Sequence, residues 1–222
     1  MYPGLVKSTG IVFAEKPSVG IEPTNLPDRS RFGNHGTHTD VTPVRLPNGL
    51  WVREFSGLSN SHVNIGSHAS LLNLDRGPFS LEAWFYSFGV APAPYQVVLG
   101  IGKQFFQLYT LNMQFYFWLY FTTAATIIVA TGIDSISYNT WNHVVGTWDL
   151  TYGKVYLNGD LKDTTVDLSA DSLVHFAGDR TVSRDTAYWM KGYIALPGIY
   201  NYALSAGRIK QRYESKRHWF GV

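Results

Sequence analysis

The segment that most restricts the fold of this chain is WNHVVGTWD at residues 141–149, followed after three residues by GKVYLNG at residues 153–159. Residues in both pieces alternate with a period of two, as they do in β-strands. Asn158 and Gly159 can adopt the positive φ angles that a type I′ hairpin turn requires. The segment therefore predicts antiparallel sheet.

The same segment is similar to a motif of a known family. Laminin G-like jelly-roll domains, within the concanavalin A-like lectin/glucanase superfamily, carry W-N-H-V-a-x-T-x-D followed by g-x-v-x-L-y-v-N-G. Segments that also resemble the family, in the expected order, are DRSRFGNHGT (28–37), FSLEAWFY (79–86) and IYNYALSA (199–206). The resemblance covers about residues 28–214. It implies an all-β, two-sheet antiparallel jelly-roll sandwich of the concanavalin A-like kind.

Other elements follow from local pattern. Leu50 to Phe55 and His62 to Ile65 are predicted strands, and residues 95–131 are expected to supply three or four more. In FSLEAWFY, large groups fall on both faces, which is typical of a central strand. One short carboxy-terminal helix is predicted, with Ser205 as its N-cap and with Ile209 and Tyr213 on one face. Gly33, Asn34 and Gly36 suit a tight turn with positive φ.

Length and composition limit the domain organisation. A chain of 222 residues is long enough for one large sandwich and short for two independent domains. We expect an amino-terminal arm over residues 1–25, rich in Pro and Gly, and the sandwich over residues 26–222. There is no cysteine, so disulfides cannot contribute to stability. With 15% charged residues and a net charge of +2, nucleic-acid binding is not expected.

The location of the protein is constrained by two features. No charged residue occurs between Lys103 and Asp134, but Gln, Asn and Thr residues interrupt the apolar run, and a spanning helix needs about 20 mostly apolar residues in succession. No membrane span is therefore expected. The first residues carry no signal-peptide pattern. We expect a protein of the virion surface or an extracellular one, without a signal peptide in this chain.

Catalysis is not expected. Glycoside hydrolases of this superfamily place acids at E-x-D-x-x-E, and retaining hydrolysis needs two carboxyl groups about 5–5.5 Å apart. Glu82 is followed at these positions by Trp84 and Ser87, and we interpret it as a structural carboxylate. The chain also lacks Cys and G-x-S-x-G, so no catalytic residue is assigned. His143 is interpreted as a residue bonded within the sheet.

Metal binding has two weak candidates. His35 and His38 could ligate a metal with Asp28 or Asp40, although two histidines in a polar loop more often face solvent. Many family members bind calcium through acids in the closing strand, where this chain has Ala195 and Leu196. Asp28 is then a weak calcium candidate, and no cofactor is predicted.

Sugar binding would use exposed aromatic rings together with side chains that hold hydroxyl groups. The candidate residues near loops or strand ends are Trp51, Tyr95, Tyr138, Tyr152, Asp179, Arg180, Arg184 and Trp189. Aromatic residues also dominate sandwich cores, and a loop such as 177–185 is more commonly solvated, so the sequence does not rank these candidates.

Two functions remain open at this point. The first is a non-catalytic surface protein of a virus- or phage-like particle, for decoration or adhesion, that engages shell proteins, forms a homo-oligomer and also binds glycans. It rests on the arm and on the charge-free aromatic tract. The alternative is a carbohydrate-binding module or lectin associated with a secreted polysaccharide-acting system.

Overall fold

The computed structural model describes residues 10–16, 25–58, 60–89, 95–101, 106–111, 113–123, 126–132, 135–175, 178–183 and 188–222. The strands are β1 (Ile11–Ala14), β2 (Thr37–Thr39), β3 (Val41–Arg45), β4 (Trp51–Ser56), β5 (His62–Gly66), β6 (Phe79–Ser87), β7 (Tyr95–Ile101), β8 (Phe106–Leu111), β9 (Gln114–Tyr120), β10 (Thr126–Ala130), β11 (Trp141–Trp148), β12 (Gly153–Leu157), β13 (Asp160–Thr164), β14 (Arg180–Val182) and β15 (Lys191–Tyr200). The helices are α1 (Ala69–Leu72) and α2 (Ala206–Lys216), and single 3-10 turns occur at Leu74–Arg76 and Arg217–Trp219.

The strands form two sheets. Sheet 1 has the order β13-β12-β11-β6-β15-β4-β3, with β1 also pairing to β15, and sheet 2 has the order β10-β9-β8-β7-β14-β5-β2. The pairings are antiparallel, and the chain passes repeatedly from one sheet to the other. Buried apolar side chains from both sheets form one core between them. The fold is the predicted all-β jelly-roll sandwich.

Strand β6 shows how the sequence pattern builds the sandwich. It lies between β11 and β15, which confirms that it is a central strand. Its odd-numbered residues, Phe79, Leu81, Ala83 and Phe85, belong to the core between the sheets. Trp84 belongs to a second apolar cluster, against which Tyr86 also packs. The even-numbered residues of β6 therefore face the outer side of sheet 1.

Helix α2 and the turn after it cover part of that outer side. The Ser205 side chain accepts a hydrogen bond from the N–H of Arg208, and Ile209 and Tyr213 are buried, so the predicted N-cap and apolar face are confirmed. Beyond the helix, Phe220 stacks on Trp84 with 4.1 Å between ring centroids. Among the described residues, no helix is both long enough and apolar enough to cross a bilayer.

Part of the predicted amino-terminal arm lies in sheet 1. Residues 11–14 pair with the second half of β15, from Tyr200 to Gly198, while β4 pairs with its first half. At the bulge between the two, Leu196 has φ +51° and its N–H donates to Glu15 Oε2 at 3.0 Å. Residues 1–9 and 17–24 lie outside the described residues, so the domain division at residue 25 stays a prediction.

The predicted turns are partly confirmed. Asn158 and Gly159 have φ +52° and +84°, as the type I′ turn requires. In the 28–37 loop only Gly33 has a positive φ, so that expectation is wrong for Asn34 and Gly36. Gly36 is instead required by packing, because a Cβ there would lie 2.5 Å from Val63 Cγ1.

The charge-free tract forms one end of sheet 2, where β8, β9 and β10 pair in sequence. In β9, Phe115, Phe117 and Leu119 enter the core. The residues between them, including Trp118, lie on the outer side and are partly exposed. Tyr120 is 36% exposed and Ile128 of β10 is 47% exposed. The tract thus supplies both core and an apolar outer surface.

Candidate functional site

Four aromatic residues form a cluster on the outer face of sheet 1, which we call the aromatic platform: the partly exposed Tyr86, Phe88 and Tyr193 and the buried Trp141. The strand register builds it. Tyr193 of β15 is opposite Tyr86 of β6, and Tyr86 is opposite Trp141 of β11. Side chains opposite one another on one face of a sheet lie in direct contact, so three neighbouring strands present one continuous row.

The rings of the platform contact one another edge to face and side by side. The centroid of Tyr86 lies 5.7 Å from that of Tyr193 and 5.7 Å from that of Trp141. Phe88 meets Tyr193 edge-on at 4.8 Å. At one end of the row, the ring centroid of Trp141 lies 4.6 Å from that of Phe220, and Phe220 stacks on Trp84. This buried stack of Trp84, Phe220 and Trp141 supports the partly exposed rings that pack against it.

Two charged side chains border the platform. Glu54 of β4 is opposite Tyr193 and continues the same row, and Lys191 lies two residues before Tyr193 on the same face of β15. Both are partly exposed, and neither forms an ion pair with any residue in the described ranges. Burial, and then the Glu54 carboxylate, raise the pKa of Tyr193. The negative charge of Glu54 therefore interacts electrostatically with the neighbouring Tyr193.

The backbone beneath the platform needs a glycine. Gly192 has φ +145°, and a Cβ at this position would lie 2.0 Å from the carbonyl oxygen of Tyr86. The absence of a side chain lets β15 approach β6 closely, which brings Tyr193 and Tyr86 together. The backbone of Lys191 is held by two hydrogen bonds. Its N–H donates to Gln96 Oε1 at 3.1 Å, and its carbonyl oxygen accepts from Phe88 N at 3.0 Å.

A buried charged network lies on the same face, under α2. Glu82 is fully buried, and its carboxylate accepts hydrogen bonds from the Tyr200 hydroxyl at 2.6 Å and from Arg212 Nε at 2.8 Å. His143 Nε2 lies 3.0 Å from Glu82 Oε1, and Lys216 Nζ lies 3.7 Å from the same oxygen. The structural interpretations of Glu82 and His143 agree with these contacts, although the helix partners were not predicted.

The electrostatics of this network follow from burial and charge. Burial alone would raise the pKa of Glu82, but Lys216, His143 and Arg212 hold it well below its usual value. Burial lowers the pKa of His143 despite the opposing effect of the Glu82 contact. The network therefore contains an ionised carboxylate between cations. Its position beneath α2 lets the network hold the helix against sheet 1.

The loop around Asp28 is held by hydrogen bonds. The Asp28 carboxylate accepts from the N–H groups of Ala14, Ser30 and Asn34 and from the Ser30 hydroxyl. A calcium ion bound there would compete with these four donors. Ala195, at the position of the family acid, packs in the outer apolar cluster. Calcium binding at Asp28 therefore stays a prediction, and the family acid that would assist it is replaced by Ala195.

The two loop histidines are also engaged. His35 Nδ1 accepts a hydrogen bond from Asp28 N, and His38 Nε2 accepts one from Arg53 Nε at 3.3 Å. Burial, and then the Arg53 guanidinium, lower the pKa of His38 to about 4. Within the described ranges, no group of three or more His, Asp or Glu side chains could hold a metal ion.

The residues predicted from sequence to bind ligand are dispersed. Trp51 lies at the start of β4, on the face opposite Glu54 because the two are an odd number of residues apart. Tyr95 begins β7 in sheet 2 and packs on Tyr188 at 4.7 Å. Tyr152 lies between β11 and β12 and is 37% exposed, with Lys154 Nζ 5.4 Å from its ring. These residues do not form one site.

In the predicted 177–185 loop, one candidate side chain faces solvent and the next is buried. Asp179 is exposed and accepts a hydrogen bond from Asn64 Nδ2 at 2.7 Å. Arg180 is buried and donates to the carbonyl oxygen of Leu71 at 2.9 Å, and burial lowers its pKa to about 10. Arg184 lies outside the described residues. A ligand for this loop stays a prediction.

Two of the predicted residues lie closer to the platform. Tyr138 is in the turn before β11, where the N–H of the next residue, Asn139, donates to the carbonyl of Ser87 at 2.8 Å. Trp189 is two residues before Lys191 and is partly exposed. The sequence did not single out Tyr86, Phe88, Tyr193 or Glu54. The alternation in β6 placed Tyr86 on the outer face, but no local pattern shows which strands align with it.

This fold defines the class of the protein as a lectin-like β-sandwich. The family model described as the concanavalin A-like lectin/glucanases superfamily, of the laminin G-like kind, matches residues 57–210. The chain belongs to this superfamily, which confirms the resemblance seen in the sequence. Comparison of the sequence with characterised proteins finds no match.

Solved structures with the same fold include binding domains of toxins. The binding domain of Paraclostridial Mosquitocidal Protein 1 has a TM-score of 0.74 and 14% identity, over 92% of this chain and 52% of that one. The receptor binding domain of botulinum neurotoxin type G has a TM-score of 0.69 and 17% identity, over 94% and 52%. The botulinum neurotoxin DC binding domain in complex with SialylT has a TM-score of 0.68 and 15% identity, over 92% and 51%. This chain spans about half the length of these structures.

Proposed function

We propose that this chain is a non-catalytic binding domain that recognises carbohydrate on the aromatic platform. The observation that carries the proposal is the row from Glu54 through Tyr193 and Tyr86 to the buried Trp141, which places the partly exposed rings of Tyr193 and Tyr86 beside a carboxylate. The C–H face of a pyranose packs on aromatic rings, while its hydroxyl groups bond to polar side chains at the edge. The platform offers both kinds of contact on one rigid surface.

The absence of catalysis is part of the proposal. Glu82, the strand acid that invited comparison with glycoside hydrolases, is buried beneath α2 and bonded to His143, Tyr200 and Arg212. Hydrolysis by two carboxyl groups needs both to reach the scissile bond. The binding role is further supported by two structural neighbours, binding domains of botulinum neurotoxin DC, one in complex with SialylT and the other with rat synaptotagmin II.

Replacing Tyr193 by alanine tests the proposal. We expect Tyr193→Ala to weaken retention on a glycan array by about tenfold or more, since burying an aromatic side chain against a ligand contributes about 1.5–3 kcal/mol. Tyr152→Ala removes another exposed ring, 37% accessible, at the far end of β11, and is the matched control. Equal losses in the two variants, or a loss in Tyr152→Ala alone, would remove the platform from the proposal. Circular dichroism melting of both variants checks that the fold is retained.

Assembly on a particle surface is the second candidate function. The outer side of β9 and β10 presents Trp118, Tyr120 and Ile128, an apolar surface on the charge-free tract. Apolar, charge-poor surfaces are typical of the centres of protein interfaces. On this hypothesis the chain is a homo-oligomeric surface component of a virus- or phage-like particle, on the virion or otherwise outside the cell.

Light scattering of the purified chain tests this second candidate. We expect a mass of at least twice 24.9 kDa at high micromolar concentration, and a monomer after Ile128→Lys, because a charge buried in an apolar interface is costly. Lysine replacing the exposed Leu161 on β13 is the matched control. A monomeric parent chain would contradict assembly by this face.

A further inference from the structure

The charges that border the platform point to the class of glycan that it takes, and this inference rests on the proposed function. Glu54 and Lys191 lie on the same face of neighbouring strands and flank Tyr193, Glu54 directly opposite and Lys191 two residues away. Their charges sum to zero. Neither is neutralised by an ion pair among the described residues, so both remain available to a ligand.

We propose that the platform selects neutral glycans and discriminates against sialylated ones. Hydroxyl groups of a neutral hexose can donate to the Glu54 carboxylate and accept from the Lys191 ammonium while the ring lies on Tyr193 and Tyr86. An acidic sugar in the same position would add a second carboxylate beside Glu54, with only one cation to balance two anions. Charges of the same sign a few ångströms apart at a protein surface reduce affinity by about tenfold.

The geometry makes this discrimination specific to Glu54. Its position opposite Tyr193 is fixed by the β4–β15 register, so the residue stays at the edge of the platform. Lys191 is fixed through its backbone bonds to Gln96 and Phe88, and Cβ of Lys191 packs against Gly57, where an added Cβ would lie only 2.9 Å away. The carboxylate is the anion that an acidic sugar would meet at this edge, and the ammonium of Lys191, at the end of a flexible four-carbon stem, is the one cation beside it in the described ranges.

A glycan array of matched pairs tests the inference, each neutral chain being printed with and without a terminal sialic acid. The parent chain is expected to retain neutral members at least tenfold better than their sialylated partners at 150 mM salt. Glu54→Gln keeps the size of the side chain and is expected to reduce that ratio by about tenfold. Glu214→Gln, an exposed carboxylate on α2, is the matched control and should leave the ratio unchanged.

The outcomes separate the two levels of the proposal. Preferential retention of sialylated partners by the parent chain would overturn the inference, and so would a ratio that Glu54→Gln leaves unchanged within twofold. In both cases glycan binding on the platform would stand, provided that Tyr193→Ala weakens retention by about tenfold or more. If no member of the array is retained by the parent chain, the proposed function fails and the selectivity fails with it.

Discussion

Glu82→Ala is expected to lower the free energy of unfolding by about 3–5 kcal/mol, the usual cost of removing one partner from a buried ion pair. The carboxylate is fully buried and is bonded to Tyr200 and Arg212, with Lys216 3.7 Å away. Its removal leaves two cations facing each other under α2. Urea denaturation followed by tryptophan fluorescence measures the loss.

A matched variant separates this effect from the loss of any carboxylate. Glu214 on the exposed face of α2 lies 3.7 Å from Lys210 and 3.5 Å from Arg217. Because surface ion pairs contribute about 0–1 kcal/mol, Glu214→Gln should cost little. Equal changes in urea midpoint for the two variants would contradict the role of Glu82 in holding α2 against sheet 1.

The same network sets the direction of the pH dependence. The folded-state pKa of Glu82 is well below its unfolded value near 4.5, so its stabilisation is complete above that pH and is lost as the pH falls towards the folded value. The lowered pKa of His143 acts in the same direction, since the unfolded chain takes up a proton first as the pH falls below about 6.5. Glu82→Gln should therefore be less sensitive to acid below pH 4.5 than the parent chain.

Trp84→Ala is expected to cost a similar amount, about 3–5 kcal/mol, through the cavity that it leaves. Trp84 has no exposed surface, and its ring lies 4.1 Å from that of Phe220, 5.6 Å from Tyr213 and 4.9 Å from His143. The substitution removes the side chain on which the carboxy-terminal segment is stacked. Urea denaturation measures the loss, and hydrogen exchange should show the amides of α2 opening more readily than those of β6.

Two further variants test whether the aromatic stack on Trp84 is the cause of that loss of stability. Trp84→Phe retains an aromatic ring in the stack and should recover part of the stability. Trp219→Ala removes a partly exposed ring from the neighbouring turn and should cost less than Trp84→Ala. If exchange in Trp84→Ala accelerates uniformly across both sheets, the stack does not specifically hold the carboxy-terminal segment.

Local pattern was sufficient to predict many of the elements, and the family resemblance implied the two-sheet jelly roll that they form. Alternation and turn chemistry gave the strands and the Asn158–Gly159 hairpin, since the forces that set them act between neighbours in sequence. Ser205 as N-cap, with Ile209 and Tyr213 buried, was readable for the same reason. The amino-terminal strand was not predicted, because Ile11–Ala14 is defined by its pairing with β15, nearly the whole chain away.

The candidate site was much less predictable. Glu54, Tyr86 and Tyr193 become neighbours through the order β11-β6-β15-β4, in which consecutive members are distant in sequence. No periodicity encodes that register. Residues chosen for their position near loops are far apart in the topology instead, because Tyr95 begins β7 in sheet 2 and Tyr152 lies between two strands of sheet 1. The helix partners of Glu82 were missed for the same physical reason.

The most direct measurement is nuclear magnetic resonance of the chain with carbon-labelled tyrosine rings, titrated with a glycan that the array identifies. The ring signals of Tyr86 and Tyr193 should shift together and saturate with one dissociation constant, while that of Tyr152 stays in place. Shifts confined to Tyr152 or Tyr95, with Tyr86 and Tyr193 unmoved, would show that carbohydrate binds elsewhere on the sandwich and would contradict the platform as its site.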